Sequence, residues 1–212
     1  MAQQGFRPNP RFAEAYVRMS GKAELRGVAG HRRELLTDLT GVVCEVGCGP
    51  GLCFPYYPTT VTRVLAVEPE PMLREHAVVA AARAPVPVEV RDGTADHLPV
   101  ETSTCDAVVL SLVMCSVPDP STALAEVARV LRPGGEVRFY EHVRSAHRVT
   151  AVAEDLVTPL WSRLAGGCHP NRDAVAALTA AGFAVDDVRR FGFSPQRGIP
   201  RTAHVLGRGS RP

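Results

Sequence analysis

The residues with the clearest chemical content are a glycine-rich run and an acid that follows it. In Glu45-Val46-Gly47-Cys48-Gly49-Pro50-Gly51 every second residue from 47 to 51 is glycine. Such glycines permit unusual φ angles and let a ligand lie against the main chain. The spacing is not the G-x-G-x-x-G of dinucleotide loops, because Leu52 stands where the third glycine belongs. A carboxylate two residues before the first glycine also argues against a phosphate cradle, since helix N-termini serve anions. Glu45 suits a ligand with a positive end, such as the amino group of a methionine moiety. Glu68 follows 21 residues after Gly47. An acid at about that spacing accepts hydrogen bonds from both hydroxyls of an adenosine ribose.

A second group lies further along the chain. His142 falls at the carboxyl end of a strand-like run, where sites in open α/β sheets gather, and is the candidate proton acceptor. Glu141 beside it reads either as its orienting partner or as a structural acid of the sheet. His169, in a Gly-Cys-His-Pro turn, reads as a substrate contact or as the cap of a helix beginning at Arg172. Phe12, Tyr16 and Met19 share one helical stripe. That stripe is either core or a lid over the substrate. Cys115 and Cys168 are small and soft, and read either as buried core thiols or as substrate contacts. No CxxC pair occurs and a soft metal site needs about four ligands at short spacings, so no metal is expected.

The elements that must position these residues follow from periodicity. Helices are expected over 11–20 and 23–39, the second ending before Thr40-Gly41. Strands are expected over 42–46, 61–67, 86–91, 106–113 and 136–142. Between them lie a short helix after Gly51, broken by Pro55 and Pro58, and helices over 71–82 and 121–131. Pro71 sits well in a first turn, and Arg132-Pro133-Gly134-Gly135 stops the later helix. Helices over 149–164 and 172–181 lead to a terminal antiparallel pair, 183–191 with 202–206. Strands alternating with helices predict an α/β fold with a Rossmann-like, seven-stranded, mostly parallel sheet and helices on both faces. The first 40 residues read as a helical cover, and residues 41–212 as the cofactor-binding sheet fold of a single domain.

Composition narrows the function classes. Hydrophobic residues make up 45% and charged residues 22% of the 212, which excludes a disordered, collagenous or coiled-coil chain. The formal charge is +2, and Lys22 is the only lysine among 24 basic residues. The arginines are scattered and interleaved with acids, so no nucleic-acid footprint forms. No apolar run approaches the length of a membrane span, and residues 1–10 lack a signal-peptide pattern. The six cysteines then read as reduced thiols of a cytoplasmic protein.

Taken together, these stretches resemble the class I S-adenosylmethionine-dependent methyltransferases. The likeness rests on Glu45 to Gly51, Val67-Glu68-Pro69, Gly93 to Pro99, Cys105 to Val109 and Arg129 to Gly135. The resemblance implies S-adenosyl-L-methionine as cofactor. Gly47, Gly49 and Gly51 would lie along its methionine part and ribose, and Glu68 would grip the ribose. Pro69 and Met72 would flank adenine, Thr94 and Ala95 would meet its edge, and Ser111 and Leu112 would face the methionine end.

A narrower likeness is to the methyltransferase-like thiol S-methyltransferases and their soluble bacterial relatives. It is carried by Ser111 to Val117, Phe139 to Val143, Trp161 and Gly166 to Arg172, with Asn9 to Leu36 matching the soluble relatives. Cys115-Ser116 stands where quinone-type methyltransferases have paired histidines. The hydrophobic N-terminal anchor of the animal members has no counterpart here, and Cys48 and Cys53 replace smaller residues or Asn. The implied activity is methyl transfer to a small molecule, with a thiol leading. The rivals are O-, N- or C-methylation of a secondary metabolite, quinone or lipid, and a cofactor-binding module without catalysis. A thiol of pKa about 8.5 needs no strong base, whereas an alcohol does.

Overall fold

The computed structural model describes residues 6–194, 198 and 201–211. Its centre is a seven-stranded sheet in the order β3-β2-β1-β4-β5-β7-β6. The strands are β1 (Gly41–Val46), β2 (Val61–Val67), β3 (Val88–Arg91), β4 (Cys105–Ser111), β5 (Leu131–His142), β6 (Ala184–Phe193) and β7 (Thr202–Ser210). The first five run parallel, and β7 is antiparallel to both β5 and β6. This is the mostly parallel α/β sheet that the sequence predicts. The order reverses between β1 and β4, and the crevice above such a switch point is where open sheets bind ligands.

The helices are α1 (Pro10–Ala23), α2 (Ala29–Leu36), α3 (Pro71–Ala81), α4 (Pro120–Val130), α5 (Arg148–Leu164) and α6 (Ala174–Ala180). The central strands are apolar throughout because both sheet faces are covered. On one face Val108 and Leu110 pack with Leu124, Val127 and Leu178. On the other, Val43 and Val109 pack with Leu35, Leu36 and Ala77.

Several boundaries differ from the sequence expectation for visible reasons. The helix expected over 23–39 is interrupted by a wide turn at Glu24–Val28, where Gly27 has φ 125°, and it stops at Leu36. Strand β4 ends at Ser111 because Leu112 adopts φ 61°, a left-handed conformation that costs a branched residue energy and is held only by its surroundings. Here the Leu112 amide donates to Tyr140 O at 2.7 Å. Strand β5 begins at Leu131, not Glu136, and absorbs the Arg-Pro-Gly-Gly stretch as an irregularity opposite Cys105–Ala107. Strand β7 continues to Ser210, pairing with Glu136–His142 of β5 and with the length of β6. Helix α6 starts at Ala174, capped by Asp173, whose carboxylate accepts from the Val175 and Ala176 amides. His169 is therefore not its cap.

Candidate active site

The carboxyl ends of β1, β2, β4 and β5 converge above the switch point. Leaving β1, the chain turns through Gly47, Gly49 and Gly51, with φ of 62°, 56° and 82°. A Cβ on Gly47 would stand 2.9 Å from Val113, and one on Gly51 would stand 2.7 Å from Phe54 and 2.9 Å from Ala80. Glycine is therefore required here by conformation and by space.

Glu68 ties this loop to the end of β2. Its carboxylate accepts from the Gly49 amide at 2.8 Å and, through the other oxygen, from the Glu70 amide at 2.9 Å. Burial pushes its pKa up while these amides pull it down. Each oxygen keeps a second lone pair. Pro69 follows it, and Met72 is partly buried in the first turn of α3. Thr94 and Ala95 lie half-buried in a tight turn bridged from Thr94 to His97.

Glu45 is buried at the end of β1, and the Tyr57 hydroxyl donates to it at 2.8 Å. Desolvation raises its pKa to about 7, although Tyr57, Cys53 and Arg32 favour the carboxylate. Arg32, from α2, is the main residue whose role the sequence did not reveal. It is 5% exposed, deep enough to count as a buried cation. Its guanidinium donates to Ser111 Oγ at 2.8 Å, to Cys53 Sγ at 3.3 Å and to Glu24 at 2.9 Å. Burial opposes its charge, but Cys53, Tyr16 and Glu24 outweigh it, so its pKa is raised. An arginine inside the run His31-Arg32-Arg33 gives no sequence signal that separates it from half-buried His31 or exposed Arg33.

Tyr16 lies over the glycine loop, close enough that a Cβ on Gly49 would sit 3.5 Å from its ring. Burial raises its pKa, and Arg32, Glu68, Cys115 and Cys53 all act on it electrostatically. Its neighbour Phe12, with ring centroids 5.8 Å apart, packs on Gly166. The buried face of α1 carries Ala13 and Ser20, whereas Met19 is 46% exposed. The structure thus brings Tyr16 to the site and leaves Met19 on its outer flank.

At the ends of β4 and β5, Glu141 is fully buried and accepts from the amides of Val113, Met114 and Cys115 at 2.8, 2.9 and 3.4 Å. Burial raises its pKa to about 7 against these bonds. Side chains alternate along a strand, so Glu141 clamps the loop after β4, while His142 points elsewhere. Of the two readings for Glu141, the structural one fits this geometry. The His142 Nδ1 lies 3.7 Å from Cys115 Sγ and 3.8 Å from Cys168 Sγ. Its ring also packs 4.5 Å from that of His204, a buried residue that the sequence analysis left unassigned. The two sulfurs lie within 4.8 Å of each other, and their interaction holds the Cys168 thiol below the usual thiol range and the buried Cys115 thiol well above it. A cavity of about 140 Å³ reaches Cys115 and His142 between the loop after β4 and α6. His169 is turned onto its own loop, its Nδ1 2.6 Å from Gly167 O, while its amide donates to Cys115 O.

A methyltransferase-domain family profile matches residues 44–139. Human thiol S-methyltransferase TMT1B is 30% identical over 195 residues, covering 86% of this chain and 79% of that protein. Human thiol S-methyltransferase TMT1A is 33% identical over 170 residues, covering 74% and 69%. An S-adenosylmethionine-dependent methyltransferase from Mesorhizobium loti superposes with a TM-score of 0.64 at 18% identity, over 91% of this chain and all of that one. The family profile, these relatives and the fold together define an S-adenosylmethionine-dependent methyltransferase. Within that class the chain belongs to the family that includes the thiol S-methyltransferases TMT1A and TMT1B. Among the described residues no helix is long and apolar enough to cross a membrane.

The donor set fits the cofactor. Arg32 offers a buried cation for a carboxylate, Glu45 a buried anion for an ammonium, and Glu68 two free lone pairs for a diol.

Proposed function

We propose that this enzyme is a thiol S-methyltransferase acting on a small molecule, built as one domain with α1 and α2 as a helical cover. The observation that carries the reading is the cluster of Cys115 and His142, at the ends of β4 and β5, with Cys168 from the turn after α5. The name shared by the two human relatives, each matched over more than two thirds of its length, supports it.

The cofactor supplies a methyl group activated on a sulfonium; the protein's task is to orient and to exclude water. In this reading Glu68 holds the ribose diol, and Gly47, Gly49 and Gly51 let the methionine part lie on the backbone. Pro69, Met72, Thr94 and Ala95 surround the adenine. Arg32 with Ser111 takes the methionine carboxylate, and Glu45 takes the amino group. The strained backbone at Leu112 directs the loop after β4 so that Glu141 can gather its amides, which fixes Cys115. Tyr16 closes the site from above. His142 accepts the thiol proton. Holding donor and acceptor in line is worth about 7–11 kcal/mol of barrier, so a thiol needs little further chemical help.

The test is a screen with radiolabelled cofactor against small alkyl and aryl thiols, amines, phenols and alcohols. Transfer to a thiol is expected. Clear transfer to an amine or alcohol with none to any thiol would overturn the substrate class.

A further inference from the structure

The sequence spacing excludes a compact soft-metal motif, yet the fold assembles one from three loops. Cys115 comes from the turn after β4, His142 from the end of β5 and Cys168 from the turn after α5. Their ligand atoms all lie within 4.8 Å of one another. A tetrahedral zinc ion, with Zn–S about 2.3 Å and Zn–N about 2.0–2.1 Å, sets S···N near ~3.6 Å. The observed separations are 3.7 and 3.8 Å, so both S···N edges already match a tetrahedral site to within tenths of an ångström.

The scaffold around the three is firm. Glu141 grips the amides leading to Cys115, and the Cys115 carbonyl accepts from the His169 amide at 2.6 Å. Gly167 fits where a Cβ would stand 3.0 Å from Ser116 O. Cys115 and Cys168 are both buried, and the cavity beside Cys115 and His142 leaves room for one more ligand. Three protein ligands and an open position are the arrangement of a catalytic metal site, not of a closed structural one.

We propose that Cys115, Cys168 and His142 Nδ1 bind one soft divalent ion, with zinc as the fitting metal, and that its open position takes the sulfur of the substrate thiol. The part concerning substrate rests on the thiol reading above; the metal site does not. Two protein thiolates and a neutral imidazole exactly balance the ion's charge, so a third thiolate leaves the site with one net negative charge. With the ion bound, His142 Nδ1 is a ligand and no longer the proton acceptor, so the substrate S–H loses its proton to solvent, as coordination deprotonates thiols. Its sulfur lone pair then forms the new S–C bond as the methyl leaves the cofactor's sulfonium. The pair from the broken bond stays on that sulfur, and product thioether, a weaker ligand, departs.

Full-length protein, reduced and stripped with a chelator, is titrated with Zn²⁺ and with Co²⁺. About one ion per chain is expected, with the near-ultraviolet thiolate-to-cobalt charge-transfer band of a sulfur-rich tetrahedral site. Cys115→Ser and Cys168→Ser should each lower zinc affinity at least about tenfold, with circular dichroism confirming the fold. The cobalt spectrum of the unaltered chain gives a readout that depends on no variant. Absence of the band, or zinc affinity indifferent to both substitutions, overturns the site. So does reduced-and-reoxidised protein whose mass is short by two hydrogens and which cannot be loaded, because the pair is then a disulfide. Equal thiol methylation by stripped and zinc-loaded enzyme overturns the activating role. A loaded site with no thiol methylated supports the metal and overturns the thiol reading alone.

Discussion

Glu45→Gln separates what the buried acid costs the fold from what it gives the ligand. Glu45 is 1% exposed and its pKa is raised from 4.5 to about 7 by desolvation. The folded chain therefore holds a proton between those values that the unfolded chain has released. Stability falls as pH rises through that window, and the full deficit is present above about pH 7. At about 1.36 kcal/mol per unit, the shift amounts to about 3 kcal/mol. Glutamine keeps an acceptor for the Tyr57 hydroxyl, but its amide N–H₂ meets only the weak acceptor Cys53, which returns about 1 kcal/mol. The variant should thus be about 2 kcal/mol more stable at pH 8, raising Tm by about 4–8 °C for a domain of this size. At pH 4, where the wild-type carboxyl is largely protonated in both states, the advantage should be gone and the variant should be about 1 kcal/mol less stable. Chemical denaturation of both proteins from pH 4 to 8, without cofactor, measures the difference. Calorimetry at pH 8 should show weaker cofactor binding by the variant, since an ammonium loses its anion. Stability differences that do not change with pH would refute the titration argument. Unchanged affinity would refute the assignment of Glu45 to the amino group.

Two further substitutions test the same loop. Glu68→Ala should weaken cofactor binding at least about tenfold by calorimetry, because two diol hydrogen bonds to a carboxylate are lost; unchanged affinity would remove the ribose assignment. Gly51→Ala should cost about 2–5 kcal/mol in denaturant unfolding, combining the left-handed φ of 82° with contacts under 3 Å to Phe54 and Ala80. A cost near zero would show that the loop is soft.

Much of the architecture is legible in local pattern. The apolar runs of β1, β2 and β4 announce a sheet covered on both faces, and Gly47, Gly49 and Gly51 announce a turn that side chains cannot make. Boundaries are less legible where one residue overrides its neighbours. Leu112 favours strand by type, yet it takes a left-handed φ because Tyr140 O and Glu141 hold the backbone on either side. Gly27 breaks a run that otherwise reads as continuous helix.

By itself, the sequence determined the sheet class, the glycine loop and the position of Glu68, and its resemblance to a family implied the cofactor. These depend on contacts between residues near in the chain or on spacings that one βα unit imposes. Only tertiary structure decided that Arg32 is a buried cation beside Ser111, 79 residues away. It alone placed Glu141 as a clamp on the loop after β4, and it alone gathered Cys115, His142 and Cys168 around one point. Burial and convergence are properties of the packed whole. A pattern of residue types cannot say which of three adjacent basic side chains leaves the solvent, or which distant sulfurs meet.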